Sequence, residues 1–400
     1  MSYECGICGG PFWHRIVCLS GRGGMVDALD LGSSGATREG SSPFVRRFFM
    51  IPRHGGNRYQ ASLRAGCAPE EILDFSASIN PFGPPIDVGE LLRREPELLT
   101  DYPDPEAWDL RNALAKHHGV GPDWILPGNG AAELLTWMAR DFNRQGGAVT
   151  LIDPAFADYE RALDSFAVPI LRQSMTIPEF DLPDLLGGVG LIINNPHNPS
   201  GKLFARKQLE SVLADYDLVL VDEAFLDFVP GQETEETESF IPLVAQYPNL
   251  VVLRSLTKFY SLAGIRLGYA IAHPDRLTRW QTWRDPWAVN ALAQRLGTLV
   301  LAKDDFRAKT LTWLQEERAF LSTAIANIEG LTPLSSAVNF LLVHSNFSIH
   351  SIREKLLKRD HILIRHCGSF ELLGDAYFRI SIRTRTHNNQ LIDALKAYVS

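Results

Sequence analysis

Four things are scarce in this 400-residue chain, and each scarcity removes a class of protein. No apolar run approaches the roughly 18 residues that a membrane-spanning helix needs. Basic residues do not outnumber acidic ones. The 39 Lys and Arg stand against 47 Asp and Glu, a net charge of −8, which gives no electrostatic footing for nucleic acid or an anionic membrane. Cysteine is rare, five in all; Cys5-x-x-Cys8 with Cys18 nearby lacks a second pair, so no metal site is expected. Cys67 and Cys367 stand alone, as in a reducing cytosol, so a cytoplasmic location is expected. Internal repeats are missing too. What is present is 45% hydrophobic and 22% charged, enough apolar chain for two lobes around a sizeable core.

Residues 1–49 read differently from the rest. Gly21 to Phe44 is rich in Gly and Ser and has neither helical nor strand periodicity. Gly40-Ser41-Ser42-Pro43 can be encoded by GGTTCGAGTCCC, which looks like the T-arm of a tRNA gene. The expectation is a spurious or disordered extension, with translation starting at Met50. The stretch also lacks the sustained apolar core of a secretory signal.

From Met50 onward, short apolar runs alternate with helical spacing. Residues 148–153, 189–194, 218–222, 250–254 and 268–272 read as strands; residues 131–142 and 205–214 read as helices. This alternation predicts an α/β fold with a mainly parallel sheet covered on both faces. Ligands in such sheets gather at the carboxyl ends of the strands, where Asp153-Pro154, Asn194-Asn195-Pro196, Asp222 and Ser255 all fall. Beyond Asp285-Pro286-Trp287 the pattern changes. A helical stretch over about residues 290–328 leads into short strands at 340–343, 362–365 and 378–383 and a last helix near 389–398, a smaller α+β lobe. The expected division is a large lobe over 86–288 and a small lobe over 50–85 with 289–400. The acidic run Glu233–Glu238 reads as a solvated loop.

One segment carries more chemistry than any other: Ser255-Leu256-Thr257-Lys258-Phe259-Tyr260, then Gly264-Ile265-Arg266-Leu267-Gly268. An unpaired ammonium avoids the end of a buried strand, because burying it costs several kcal/mol, roughly 3 or more. A lysine held covalently by an aldehyde cofactor has a reason to be there. Ser255 and Arg266 then suit a phosphate, one by hydroxyl and one by a charged fork. Gly128-Asn129-Gly130-Ala131-Ala132-Glu133 leads into a helix whose first amides also suit a phosphate, although a plain helix cap reads the same. Asp222 ends an apolar strand and either faces a pyridine nitrogen or caps the following turn. Asn198, in Asn194-Asn195-Pro196-His197-Asn198-Pro199-Ser200-Gly201, can donate to a phenolic oxygen. Phe156 can cover a ring or sit in the core, and Tyr102 offers one more hydroxyl.

The order of Gly-rich turn, aromatic, Asn-Pro-Ser-Gly, Asp-x-Ala-Phe, Ser-x-x-Lys and Arg resembles the fold-type I pyridoxal-phosphate (PLP) enzymes from residue 52 to the end. The resemblance implies PLP as cofactor and a large domain built on a seven-stranded, mainly parallel sheet. It implies that Lys258 and Asp222 are the catalytic pair. Gly130, Ala131, Ala132, Phe156, Asn198, Ser255 and Arg266 would join them in holding the cofactor, while Tyr102 reaches the cofactor of a second subunit in a homodimer. Within that family, His54-Gly55-Gly56-Asn57 and Leu73-Asp74-Phe75-Ser76-Ala77-Ser78-Ile79-Asn80-Pro81 resemble the branch of threonine-phosphate decarboxylases. Phe225 (where the aminotransferases usually carry tyrosine) and the run Phe378 to Arg383 lean the same way. Ser78 departs from the asparagine more usual there. The implied activity is decarboxylation of L-threonine O-3-phosphate for cobalamin biosynthesis; the alternative is a histidinol-phosphate or related aminotransferase. Arg379 would take the substrate carboxylate and Arg365 its phosphate, with His54 and Asn80 assisting.

Overall fold

The computed structural model describes residues 54–231 and 237–399. The expectations for residues 1–49, for Met50 as the start and for the first three cysteines lie outside the described residues. The described residues all belong to one compact unit.

Among the described residues thirteen strands follow in chain order: β1 (Leu73–Asp74), β2 (Ile125–Asn129), β3 (Val149–Asp153), β4 (Ile170–Ser174), β5 (Gly188–Asn194), β6 (Tyr216–Asp222), β7 (Leu250–Ser255), β8 (Leu267–Ala272), β9 (Leu331–Pro333), β10 (Phe340–Ser345), β11 (Ile362–Leu363), β12 (Arg365–His366) and β13 (Tyr377–Ser381). Seven make one sheet in the order β2-β8-β7-β6-β5-β3-β4. The run from β7 to β4 is parallel, while β8 is antiparallel to both β7 and β2. This is the mainly parallel sheet expected. Its central strands are apolar throughout because both faces are covered. Along β6, Val219 and Val221 enter one core cluster while Leu218 and Leu220 enter the other; β7 splits Leu250 and Val252 from Val251 and Leu253 in the same way. The period-two alternation of a strand thus feeds two cores.

The helix Ala131–Gln145 shows how a sequence stripe becomes a layer. Leu134, Leu135, Met138, Ala139 and Phe142 recur at helical spacing and are all buried against the sheet. Its buried Asp141 is compensated by Arg276, by Arg279 and by the Trp280 indole N–H at 3.2 Å.

A second, antiparallel sheet has the order β12-β13-β10-β9, and β1 pairs in parallel with β11. The expected strand over 362–365 is therefore two short strands in two different sheets. The helical stretch 290–328 is two helices, Ala291–Val300 and Asp304–Ala326, and the one expected over 205–214 shortens to Arg206–Glu210 with a 3-10 turn at Leu213–Asp215. The acidic run is less solvated than expected at its end. Thr237 is buried, and the Glu238 carboxylate accepts the Arg206 backbone N–H. No helix among the described residues is long and apolar enough to cross a membrane.

Candidate active site

Because β3, β5, β6 and β7 run parallel, their last residues, Asp153, Asn194, Asp222 and Ser255, come to one edge of the sheet. A cavity of about 330 Å³ lies there. Lys258, Asp222, Ser255, Arg266, Asn198, Phe156, Ala131, Ala132, His54, Arg365 and Arg379, eleven of the residues singled out in the sequence, line it.

Lys258 follows β7 in a turn held from below. Asn80 donates its backbone N–H to the Lys258 carbonyl at 3.0 Å, and its side-chain amide donates to Phe259 O and Thr310 Oγ1, both at 2.9 Å. Asn80 is 2% exposed and does not line the cavity. The expected substrate contact is thus replaced by a structural one: its amide is already spent fixing the lysine turn. Lys258 Nζ lies 4.6 Å from the Phe225 ring centroid. Burial lowers the pKa of this amine, Asp222 opposes the shift, and Arg379 and Arg266 add to it. A lysine so placed exposes more neutral amine than an ordinary one.

Asp222 is buried at the floor. One carboxylate oxygen accepts the Tyr159 hydroxyl at 2.7 Å and the other accepts the Ala224 N–H at 2.9 Å. Burial raises its pKa, and the Tyr159 bond and Lys258 pull it back. Tyr159 itself is pushed well above the usual phenol range, first by burial and then by the Asp222 charge. Both hydrogen bonds to the Asp222 carboxylate come from neutral donors, so a cationic group in the cavity would add a charge-assisted partner.

The opposite end is a cradle of donors. Ser255 Oγ and Thr257 Oγ1 share a 2.7 Å bond beside Arg266 and the first turn of the helix Ala131–Gln145. Gly130 does not line the cavity but makes the cradle possible. Its φ is +73°, and an added Cβ would lie 2.5 Å from Arg266 Nη2, so the guanidinium takes the space of a side chain. At Gly268 a Cβ would meet the Ala131 nitrogen at 2.6 Å. Helix amides, two hydroxyls and a guanidinium form a phosphate-binding set. Together with the buried carboxylate of Asp222 and the amine of Lys258 in the same cavity, the residues fit a phosphorylated pyridine aldehyde.

Arg365 and Arg379 are direct cross-strand partners of β12 and β13, and both are buried, at 4% and 7% exposure. Burial lowers the pKa of Arg379 to about 10, and the neighbouring Arg365 contributes. Arg379 donates to Asn198 Oδ1 and, at 3.2 Å, to Ser76 O, while its Nε has no partner. Arg365 donates to Ser369 Oγ at 2.6 Å. Asn198 has therefore committed its side-chain oxygen to Arg379 and keeps its amide N–H groups. The ring of His54 meets Phe156 edge-on at 5.5 Å. Tyr102 is 80% exposed and stacks on Trp287, away from this cavity.

Tyr159, Thr257, Ser76 and Ser78 line the cavity without having been singled out as site residues. Tyr159 carried no local signal: it is three residues after Phe156 on an ordinary helix, and only the fold brings it to Asp222, 63 positions away. Thr257 sat inside the lysine motif and was legible there.

Residues 70–395 match the family model "Aminotransferase class I and II". The chain is 36% identical to a threonine-phosphate decarboxylase of Salmonella typhimurium over 359 residues, 86% of this chain and 95% of that protein. It is 31% identical to a histidinol-phosphate aminotransferase of Symbiobacterium thermophilum, over 82% of this chain and 90% of the relative. The crystal structure of L-threonine-O-3-phosphate decarboxylase from Porphyromonas gingivalis superposes with a TM-score of 0.71 at 25% identity, covering 81% of this chain and 98% of that one.

Proposed function

The chain belongs to the class I and II aminotransferase family, whose members use PLP, and on that footing we propose that it decarboxylates L-threonine O-3-phosphate to (R)-1-aminopropan-2-yl phosphate, serving cobalamin biosynthesis. The observation that carries this reading is the pair Arg365 and Arg379. Like charges directly opposite on a ladder repel, and burial removes the water that would screen them. A substrate with a carboxylate and a phosphate offers each guanidinium an anion, whereas an amino acid with a neutral side chain offers only one.

Bound PLP would supply an electron-accepting ring. The residues of the chain do the rest. Asp222 keeps a proton on the ring nitrogen by a charge-assisted bond, and Tyr159 holds Asp222 ionised against its burial. Lys258, with its lowered pKa, offers Nζ as anchor and as the group that returns a proton to Cα. Ser255, Thr257, Arg266 and the amides of Ala131 and Ala132 would hold the cofactor's phosphate, and Asn198 would donate to its phenolic oxygen. Arg379 binds the substrate carboxylate. Strong binding of that charge opposes its departure, so the role assigned to Arg379 is orientation of the carboxylate rather than stabilisation. Arg365 takes the phosphate, and His54 stands at the edge.

The exposed Leu99, Tyr102, Trp108 and Trp287 support a homodimer in which Tyr102 serves the partner's site. The seven-stranded sheet is drawn wholly from residues 86–288, and the four-stranded sheet and the β1–β11 pair from residues 50–85 and 289–400, which supports the two-lobe division at residues 85 and 288. A cytoplasmic location accords with the unpaired Cys67 and Cys367.

The similarity to a histidinol-phosphate aminotransferase keeps amino transfer as the second reading. The discriminating experiment gives the PLP-loaded enzyme histidinol phosphate with 2-oxoglutarate. No amino transfer is expected; steady formation of glutamate would move the assignment to the aminotransferase.

A further inference from the structure

Beside the main cavity lies a smaller one of about 30 Å³, and the two share His54, Gly55, Ser76 and Arg365 in their walls. Arg353, on the helix Ile349–Asp360, lines the small cavity. It is 5% exposed and makes no hydrogen bond or ion pair among the described residues. Its sequence neighbour Glu354 is turned to Arg64 and Lys358. Arg64 and Arg365 line the same cavity, and so does His366, whose ring is engaged by Asp375 at 2.8 Å and by the Gly368 N–H at 2.9 Å. The first turn of the helix Arg58–Ala65, capped by Asn57, completes the wall.

A buried lysine can shed its proton, but a guanidinium does not. Arg353 therefore stays charged in a place where burial disfavours charge, which is the direction its pKa takes, with Arg64 adding to the effect and the Glu354 charge opposing it. Glu354 is itself paired with Arg64, so what relieves the guanidinium facing the cavity is a further anion. The cavity is too small for a second ligand of its own; it has room for one or two oxygens. The anion must therefore be the end of a molecule seated at the shared wall, beside Arg365.

We propose that Arg353 is a specificity-determining residue which, with Arg365, grips the distal phosphate of the substrate and selects a dianionic phosphomonoester. This rests on the reading that the substrate is an amino-acid phosphate. Two guanidinium groups match the two charges of a phosphate monoester, which exceed the single charge of a carboxylate.

The test uses the PLP-loaded full chain and the variants Arg353→Gln and Arg353→Lys, with the absorbance of the bound cofactor reporting that each is folded. Arg353→Gln should raise KM for O-phospho-L-threonine at least about tenfold with kcat within about twofold, and Arg353→Lys should recover part of the loss. The affinity for L-threonine, which lacks the phosphate, should not change. A KM equal to wild type, or an equal loss with L-threonine, overturns the proposal. A wild-type enzyme that does not turn over O-phospho-L-threonine fails the functional reading instead. The anion site is then read by titrating inorganic phosphate into the same loaded proteins. Weaker phosphate binding by Arg353→Gln upholds it, and equal binding by both proteins overturns it.

Discussion

Replacing Tyr159 by Phe removes one hydroxyl and nothing else from the floor of the site. In the native chain that hydroxyl donates to Asp222 Oδ2 at 2.7 Å while the Ala224 N–H holds the other oxygen at 2.9 Å. The variant therefore keeps the carboxylate oriented and loses only a buried hydrogen bond to a charge, worth about 1.5–3 kcal/mol. Spent on the ionised form of Asp222, that sum corresponds to a rise of about 1–2 pKa units. Burial already raises this pKa and the Tyr159 bond opposes the rise, so both effects then act in one direction. Ionised Asp222 is the form that keeps the cofactor's ring nitrogen protonated. Activity falls as pH drops through its pKa, so the acid limb of the kcat/KM profile should move up by about 1–2 pH units in Tyr159→Phe. At a pH on that limb the rate should be roughly ten- to a hundredfold lower. The assay is steady-state decarboxylation across pH. An unshifted acid limb with wild-type rates would refute the coupling of Tyr159 to Asp222.

Lys258→Ala should abolish the adduct that borohydride traps on the wild-type chain, and turnover with it, while circular dichroism stays unchanged; wild-type activity would remove Lys258 from its assigned role. His197 is buried between Pro154 O at 3.1 Å and Ser200 Oγ at 2.7 Å, with burial pushing its pKa down to about 4. Unfolded histidine titrates near about 6.5, so between these values the unfolded chain binds the extra proton. This contribution is whole above about pH 6.5 and shrinks by up to roughly 3 kcal/mol as pH falls towards 4. His197→Gln should flatten the pH dependence of urea unfolding in that window, and an unchanged slope would contradict the assignment.

The parts of the fold that could be read from the chain were those whose environment is uniform. β3, β6 and β7 are buried over nearly their whole length, and β5 over residues 190–193, so composition alone marks them. The strands that escaped, β2 and β4, are the two edges of the same sheet. β2 contains Pro127 and Gly128, tolerated there because an edge strand need not satisfy a neighbour on both sides. β4 exposes Leu171 and Arg172 and so loses the apolar signature. β9 has only three residues. The cofactor cradle was legible because its parts lie in short contiguous motifs at strand ends. Tyr159 and Arg353 were not, since each gains its meaning from a partner or cavity wall assembled by distant segments. Asn80 shows the converse: it stands in a motif, yet its amide is consumed by Phe259 and Thr310.

Carbon dioxide counted per active site decides whether this chain is a decarboxylase. The PLP-loaded chain is given O-phospho-L-threonine labelled in its carboxyl carbon, with no 2-oxo acid present. The account expects labelled carbon dioxide in large molar excess over enzyme, with one amine phosphate formed for each. Release that stops at one equivalent, or that begins only when a 2-oxo acid is added, would contradict it.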